Sequence, residues 1–95
     1  MRVRVSFYVA VGDLAAIPEE TVELPASADI RRLLEYLGEE HGSALTDRVL
    51  QSDGRIWPAV AIILNGSNVS LYQGLDTQLT DGDVVSVLPV VAGGH

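Results

Sequence analysis

Alternation and helical spacing divide this chain into short elements. From Arg2 to Val11 the residues run Arg, Val, Arg, Val, Ser and then turn more apolar, the mark of a strand with one buried face. Gly12-Asp13 and Pro18 punctuate the connection, and "ETVEL" (Glu20 to Leu24) alternates again. The two runs predict an antiparallel hairpin whose loop is longer than the tight two-residue type. In "SADIRRLLEYLGEEHG", Ile30, Leu33, Leu34 and Leu37 fall on one side of a helix, while Arg31, Arg32, Glu35 and Glu39 take the other. Ser27 or Asp29 is placed to cap its first turn, and Gly42 to stop it. "SALTDRVLQSDG" allows a further short helical piece ending at Asp53-Gly54.

The run from Val60 to Leu64, "VAIIL", is bounded by Pro58 and by Asn65-Gly66. It is short and β-branched, which predicts a strand, and Asn-Gly is a strong hairpin signal because both residues tolerate positive φ. Both of its alternations are apolar. Either a loop covers the second face, or one set, Val60, Ile62 and Leu64 (or else Ala61 and Ile63), forms an exposed docking patch. "SLYQGLDTQLTDGD" carries several turn signals, and "VVSVL" (Val84 to Leu88) predicts a last strand that Pro89 ends. The order β-β-α-short α-β-β-β implies an α+β fold, a mixed sheet wrapped around one main helix. That is a β-grasp, or ubiquitin-like, arrangement. Residues 1–88 form the domain in this reading, and residues 89–95 a flexible C-terminal tail carrying two glycines.

Composition narrows the setting. The 95 residues fit one domain, and an apolar fraction of 47% suffices for a core. With no cysteine, no disulfide supplements it, which suits a cytoplasmic home. The opening "MRVRVSFYVAV" has a superficial likeness to a signal peptide, but its apolar stretch is short, interrupted and without a cleavage-like site, so it is expected to be a strand. No segment is long enough to span a membrane. The formal net charge is −7, from 13 acidic residues against 6 basic ones, and all six basic residues are arginine. An acidic surface repels phosphate backbones, which argues against nucleic-acid binding and steers the domain toward a basic protein partner. Without lysine, the chain offers no side-chain amine to accept an isopeptide bond.

Few residues suggest chemistry of their own. His41 and His95 are the only histidines, and with no cysteine a zinc site would need carboxylates to complete it. "EEHG" reads as a solvated helix end, where a histidine is favourable. Asp76, Asp81 and Asp83 could suggest a carboxylate cluster, but "DGD" lacks the remaining pattern of a calcium loop and aspartate beside glycine is ordinary turn chemistry. No nucleophile–base pair and no phosphate-cradling glycine loop is present. The chain is therefore not expected to be an enzyme, nor to bind a metal. Trp57 has two readings, a partner anchor or a half-exposed cover over the core edge.

The last third, "ILNGSNVSLYQGLDTQLTDGDVVSVLPVVAGG", joins an Asn-Gly turn, the stretch "GLDTQLTDGDVVSVLP" and a Gly-Gly pair. In that ordered combination it resembles the MoaD/ThiS group of ubiquitin-like sulfur carriers, and upstream "VELPASADIRRLLEYL" resembles their second strand and helix opening. "LPVVAGG" leans toward the MoaD side. The resemblance implies that an E1-like adenylating enzyme activates Gly94 with ATP. A sulfur donor protein then makes its thiocarboxylate, and an acceptor enzyme such as a MoaE-like subunit receives the sulfur. The chain itself is expected to bind no cofactor. Pro89, Val90, Val91, Ala92 and Gly93 would thread the activating enzyme, and glycine there lets the backbone approach closely.

Two departures stand out. A single proline, Pro89, precedes the apolar tail, and the chain continues past Gly94 to His95. His95 is read as a residue removed by a JAMM-type or other C-terminal peptidase, as the stump of a tag, or as a sign of a descendant that no longer carries sulfur. Cleavage between Gly94 and His95 is the first of these. Alternatives to the carrier are a protein modifier joined through Gly94 to target lysines, the small subunit of molybdopterin synthase, and an interaction domain with no use for its tail.

Overall fold

The computed structural model describes residues 1–8 and 17–90. Outside them lie the expected continuation of the first strand to Val11, the turn at Gly12-Asp13, and the tail from Val91 to His95. Strands β1 (Arg2–Phe7) and β2 (Ile17–Glu23) pair antiparallel, as their alternation predicts, with a register shift between Val5 and Phe7. The main helix α1 spans Ile30–His41, and α2 follows at Ser43–Val49. β3 (Val60–Leu64), the two-residue β4 (Ser67–Asn68) and β5 (Val84–Pro89) complete a five-stranded sheet ordered β2-β1-β5-β3-β4. β1 and β5 run parallel in its centre and the other pairs are antiparallel. This mixed sheet grasping α1 is the β-grasp arrangement.

Local chemistry accounts for the boundaries. Asp29, not Ser27, caps α1, its carboxylate accepting from the Arg32 N–H at 2.9 Å, a contact worth about 1 kcal/mol. Ser27 instead takes a positive φ of 72° in the preceding turn. α2 stops at Val49, earlier than the expected Asp53-Gly54. Leu50 is already extended and bridges Ile56, so Asp53-Gly54 closes a small turn instead. At the β3–β4 hairpin, Asn65 and Gly66 both have positive φ, 50° and 91°, the requirement of the tight turn their sequence signals.

One layer of apolar side chains lies between sheet and helices. Val3, Val5 and Phe7 from β1, Val85 and Val87 from β5, and Ile62 from β3 meet Ile30, Leu33, Leu34 and Leu37 of α1. α2 adds Leu45 and Val49. The two helices come very close at Gly38, where a Cβ would stand 2.9 Å from the Thr46 methyl. Thr46 is held in place by its hydroxyl, which donates to the Ser43 carbonyl at 2.8 Å, and its branched Cβ is stiff. Alanine at position 38 gains up to about 1 kcal/mol of helix propensity, against overpacking of about 1–3 kcal/mol. Gly38→Ala is thus expected to lose about 1 kcal/mol net, a fall of roughly 4–8 °C in Tm. Adding Thr46→Ala should recover the loss, and a double variant no better than Gly38→Ala alone would place the clash elsewhere.

Candidate functional site

The site begins where β5 ends. Pro89 is the last residue of β5, where it pairs with Val60, and the Val90 N–H beyond it still donates to the Ala59 carbonyl at 2.8 Å. The reason is one of sides. Alternate backbone groups of β5 face opposite neighbours: Val90 points its N–H at β3, whereas the Val87 carbonyl accepts from the Tyr8 N–H on the β1 side. Pro89 shares the parity of Val87, so its missing donor faces β1, whose register with β5 ends at Phe7–Val87. Proline closes one ladder and leaves the other intact. Backbone hydrogen bonding to β3 therefore reaches Val90, one residue past the end of β5.

Around that end the surface is apolar and indented. A cavity of about 320 Å³ is lined by Arg48, Trp57, Ala59, Val60, Pro89 and Val90. A second recess of about 370 Å³ shares Trp57, Val60 and Val90 with it and reaches Ser70 and Asn68. Trp57 is 43% exposed, yet its ring is fixed, the indole N–H donating to the Asp47 carbonyl at 3.0 Å. Topology gathers further exposed apolar residues here. β1 runs parallel to β5, so Tyr8, just past its last residue, reaches the same end of the sheet. β3 is antiparallel to β5, so its start lies there, and β4 returns toward it, bringing Ser70 and Leu71. Leu71 is 75% exposed, and Tyr8 and Val90 are exposed too.

The face expected as a docking patch divides otherwise. Val60, Ile62 and Leu64 are turned to the core: Ile62 is fully buried opposite Val87, and Val60 and Leu64 pack half-buried against the same cluster. A period of two then sends Ala61 and Ile63 outward. They are half-buried and pair with Leu88 and Ser86. Any patch on this sheet face is built from Ala61, Ile63 and Leu88, not from Val60, Ile62 and Leu64.

The three aspartates do not form one cluster. Asp76 pairs with Arg31 at 3.1 Å, Asp81 accepts from the Arg2 backbone N–H at 2.7 Å, and the buried Asp83 accepts from Thr80 and Asn65. Each holds a turn. His41 meets Glu20 at 2.8 Å, tying the end of α1 to β2. Among the described residues no three His, Asp or Glu side chains converge as metal ligands, and no helix is long and apolar enough to cross a membrane. Tyr8 and Leu71 escaped the sequence reading. Only the strand order brings Tyr8 to the end of the sheet where Trp57 stands, and "VSLYQG" carries turn signals that mask an exposed leucine.

Comparison with known proteins bears on the same end of the chain. The profile of the ThiS family matches residues 5–94, from β1 through the second glycine of the tail. A relative in Archaeoglobus fulgidus, named "Putative sulfur carrier protein", is 36% identical over 81 residues, covering 84% of this chain and 91% of that one. "Small archaeal modifier protein 3" of Haloferax volcanii is 40% identical over 67 residues, 70% of this chain and 71% of that one. Among solved structures, "Putative molybdopterin converting factor, subunit 1" from Pyrococcus furiosus superposes with a TM-score of 0.70 at 33% identity, covering 95% of this chain and 98% of that one.

Proposed function

The chain belongs to the ThiS family, among the ubiquitin-like sulfur carriers of the MoaD/ThiS group, and from that premise we propose that Gly94 carries sulfur as a thiocarboxylate. The single observation that supports this most is the span of the family match, which continues through Gly94 and stops before His95. The fold agrees with the demand. A central strand paired to Val90 anchors the tail, and four residues, Val91 to Gly94, come after it. Fully extended they reach at most about 14 Å, enough to enter a partner's channel from a fixed root.

The chemistry needs a free carboxylate, which cleavage of the Gly94–His95 bond by a C-terminal peptidase provides. An oxygen of that carboxylate attacks the α-phosphorus of ATP in an E1-like enzyme and pyrophosphate leaves. Sulfide, or its equivalent on a donor protein, attacks the acyl carbon of the adenylate, and AMP departs with one carboxylate oxygen. The nucleotide belongs to the partner, and the domain contributes no catalytic group. The outward residues Ala61, Ile63 and Leu88 offer the acceptor an apolar landing face. The cytoplasm, where ATP is available, is the compartment this chemistry requires.

Two family-consistent readings compete for the fate of the activated tail. Similarity to "Small archaeal modifier protein 3" favours attachment of Gly94 to target lysines, and the likeness to the Pyrococcus furiosus protein favours a place as the small subunit of a molybdopterin-forming complex. The intact mass of untagged protein from its native host tests the common premise. Loss of the histidine residue, with one oxygen replaced by sulfur in part of the population, is the expected result. Every molecule still ending at His95 under sulfur limitation and in rich medium alike would remove it. Gly94-linked adducts in a denaturing blot would favour the modifier.

A further inference from the structure

We infer that Trp57 is the anchor on which the adenylating enzyme seats this domain, and that its exposed indole, together with Val90, decides which enzyme reads the tail. The inference rests on Gly94 being the sulfur-carrying residue. Tail length sets the first constraint. The carbon to be activated stands four residues past Val90, a reach of about 14 Å at most. An enzyme that reacts this carbon inside a channel must therefore bring its own surface against the end of the sheet.

The surface it meets there is prepared for contact. Trp57 is held three times over: its indole N–H donates to the Asp47 carbonyl, its backbone N–H to the Val49 carbonyl, and its own carbonyl accepts from the Val60 N–H. With the polar atom satisfied and the ring fixed, the apolar faces can be covered at little further cost in ordering or desolvation. The ring stands outside the buried core, 43% exposed, while its neighbours Ile56 and Val60 pack against that core half-buried. Recesses of about 320 and 370 Å³ flank the ring, and both are lined by Val90. A partner loop filling either one touches Trp57 and the root of the tail together. Central, rigid aromatic residues beside pockets are where binding energy concentrates. The partner this fits is an enzyme with an apolar lip around its tail channel and a basic surround, matching a domain of net charge −7.

The test uses the chain ending at Gly94 with the adenylating enzyme of its own host, monitored by ATP–pyrophosphate exchange. Trp57→Ala is expected to raise KM for the domain about thirtyfold, with kcat held within about twofold, as for loss of a hot-spot tryptophan. Trp57→Phe should stay within about threefold of wild type, because it keeps most of the apolar area. Thermal melts of each variant separate lost binding from lost fold. A chain ending at Val90 should still compete with the Gly94-ended chain for the enzyme, and Trp57→Ala in that shorter chain should abolish competition. Unchanged KM in a folded Trp57→Ala would overturn the inference while leaving the carrier reading intact. Slower removal of His95 with normal exchange would make the peptidase the occupant and also overturn it. Absence of exchange with the wild-type Gly94-ended chain would overturn both.

Discussion

A chain ending at Gly94 is expected to accumulate thiocarboxylate when incubated with the adenylating enzyme, ATP and sulfide, whereas the chain that keeps His95 accumulates none. In the longer chain the Gly94 carbonyl is an amide, whose oxygen has no charge to attack phosphorus and whose carbon has no leaving group. The nearest carboxylate is then that of His95, about 3.8 Å farther along the backbone. It carries a side chain where glycine would pass. Misplacing a reacting group by even about 1 Å can cost on the order of a hundredfold, so a difference of at least about a hundredfold is the expected magnitude. Mass spectrometry of the intact product reads it directly, as one oxygen exchanged for sulfur. Equal yields from the two chains would sink the requirement for an exposed Gly94 carboxylate, and with it the need for a peptidase.

How far this end of the molecule could be read beforehand depended on the kind of signal each part leaves. The spacing of Ile30, Leu33, Leu34 and Leu37 fixes one face of α1 without any tertiary information, and all four are buried. Asn65-Gly66 fixes a turn by backbone sterics alone. Pro89 shows where such reasoning stops. Its missing N–H is a local fact, but which neighbour that N–H would have faced is set by register with β1 and β3. The same holds for "VAIIL", whose two alternations are equally apolar, so that only pairing with Val85 and Val87 assigns Ile62 to the core and Ile63 to the outside. The apolar rim is further from the sequence still. Trp57 and Val90 come from separate segments and share their recesses only through the pairing of β5 with β3, and Tyr8 reaches the same end of the sheet only because β1 runs parallel to β5. The glycine pair, in contrast, carries its family resemblance as a motif without any fold, and the family match does run through Gly94, while its chemistry stands as the proposal.

At the opposite end of β5 a polar knot holds the strand in register, and Asp83→Ala is expected to destabilise the domain by about 2–3 kcal/mol, the range for hydrogen bonds to a charged group. One carboxylate oxygen of Asp83 accepts from the Asn65 amide at 2.9 Å and the Thr80 hydroxyl at 3.1 Å, and the other accepts from the Thr80 N–H at 2.8 Å. Asn65 in turn brackets β5, its side-chain oxygen accepting from the Val84 N–H at 2.9 Å and its own N–H donating to the Val84 carbonyl at 2.8 Å. Asp83 is only 8% exposed although Asn65 and Thr80 reach the surface, so alanine removes three charge-assisted hydrogen bonds at one buried point. Asparagine should do little better, because either orientation of its amide turns an NH₂ toward a donor. For a domain of this size the loss corresponds to a fall of roughly 10–20 °C in Tm. A double-mutant cycle with Asn65→Ala should return a coupling of about 1–2 kcal/mol, since the two side chains share one network. Strict additivity would show that Asp83 acts through Thr80 alone. The knot matters to the tail because a one-residue slip of β5 would exchange its two faces, turning Val85 and Val87 out of the core and moving the root at Val90 away from Trp57.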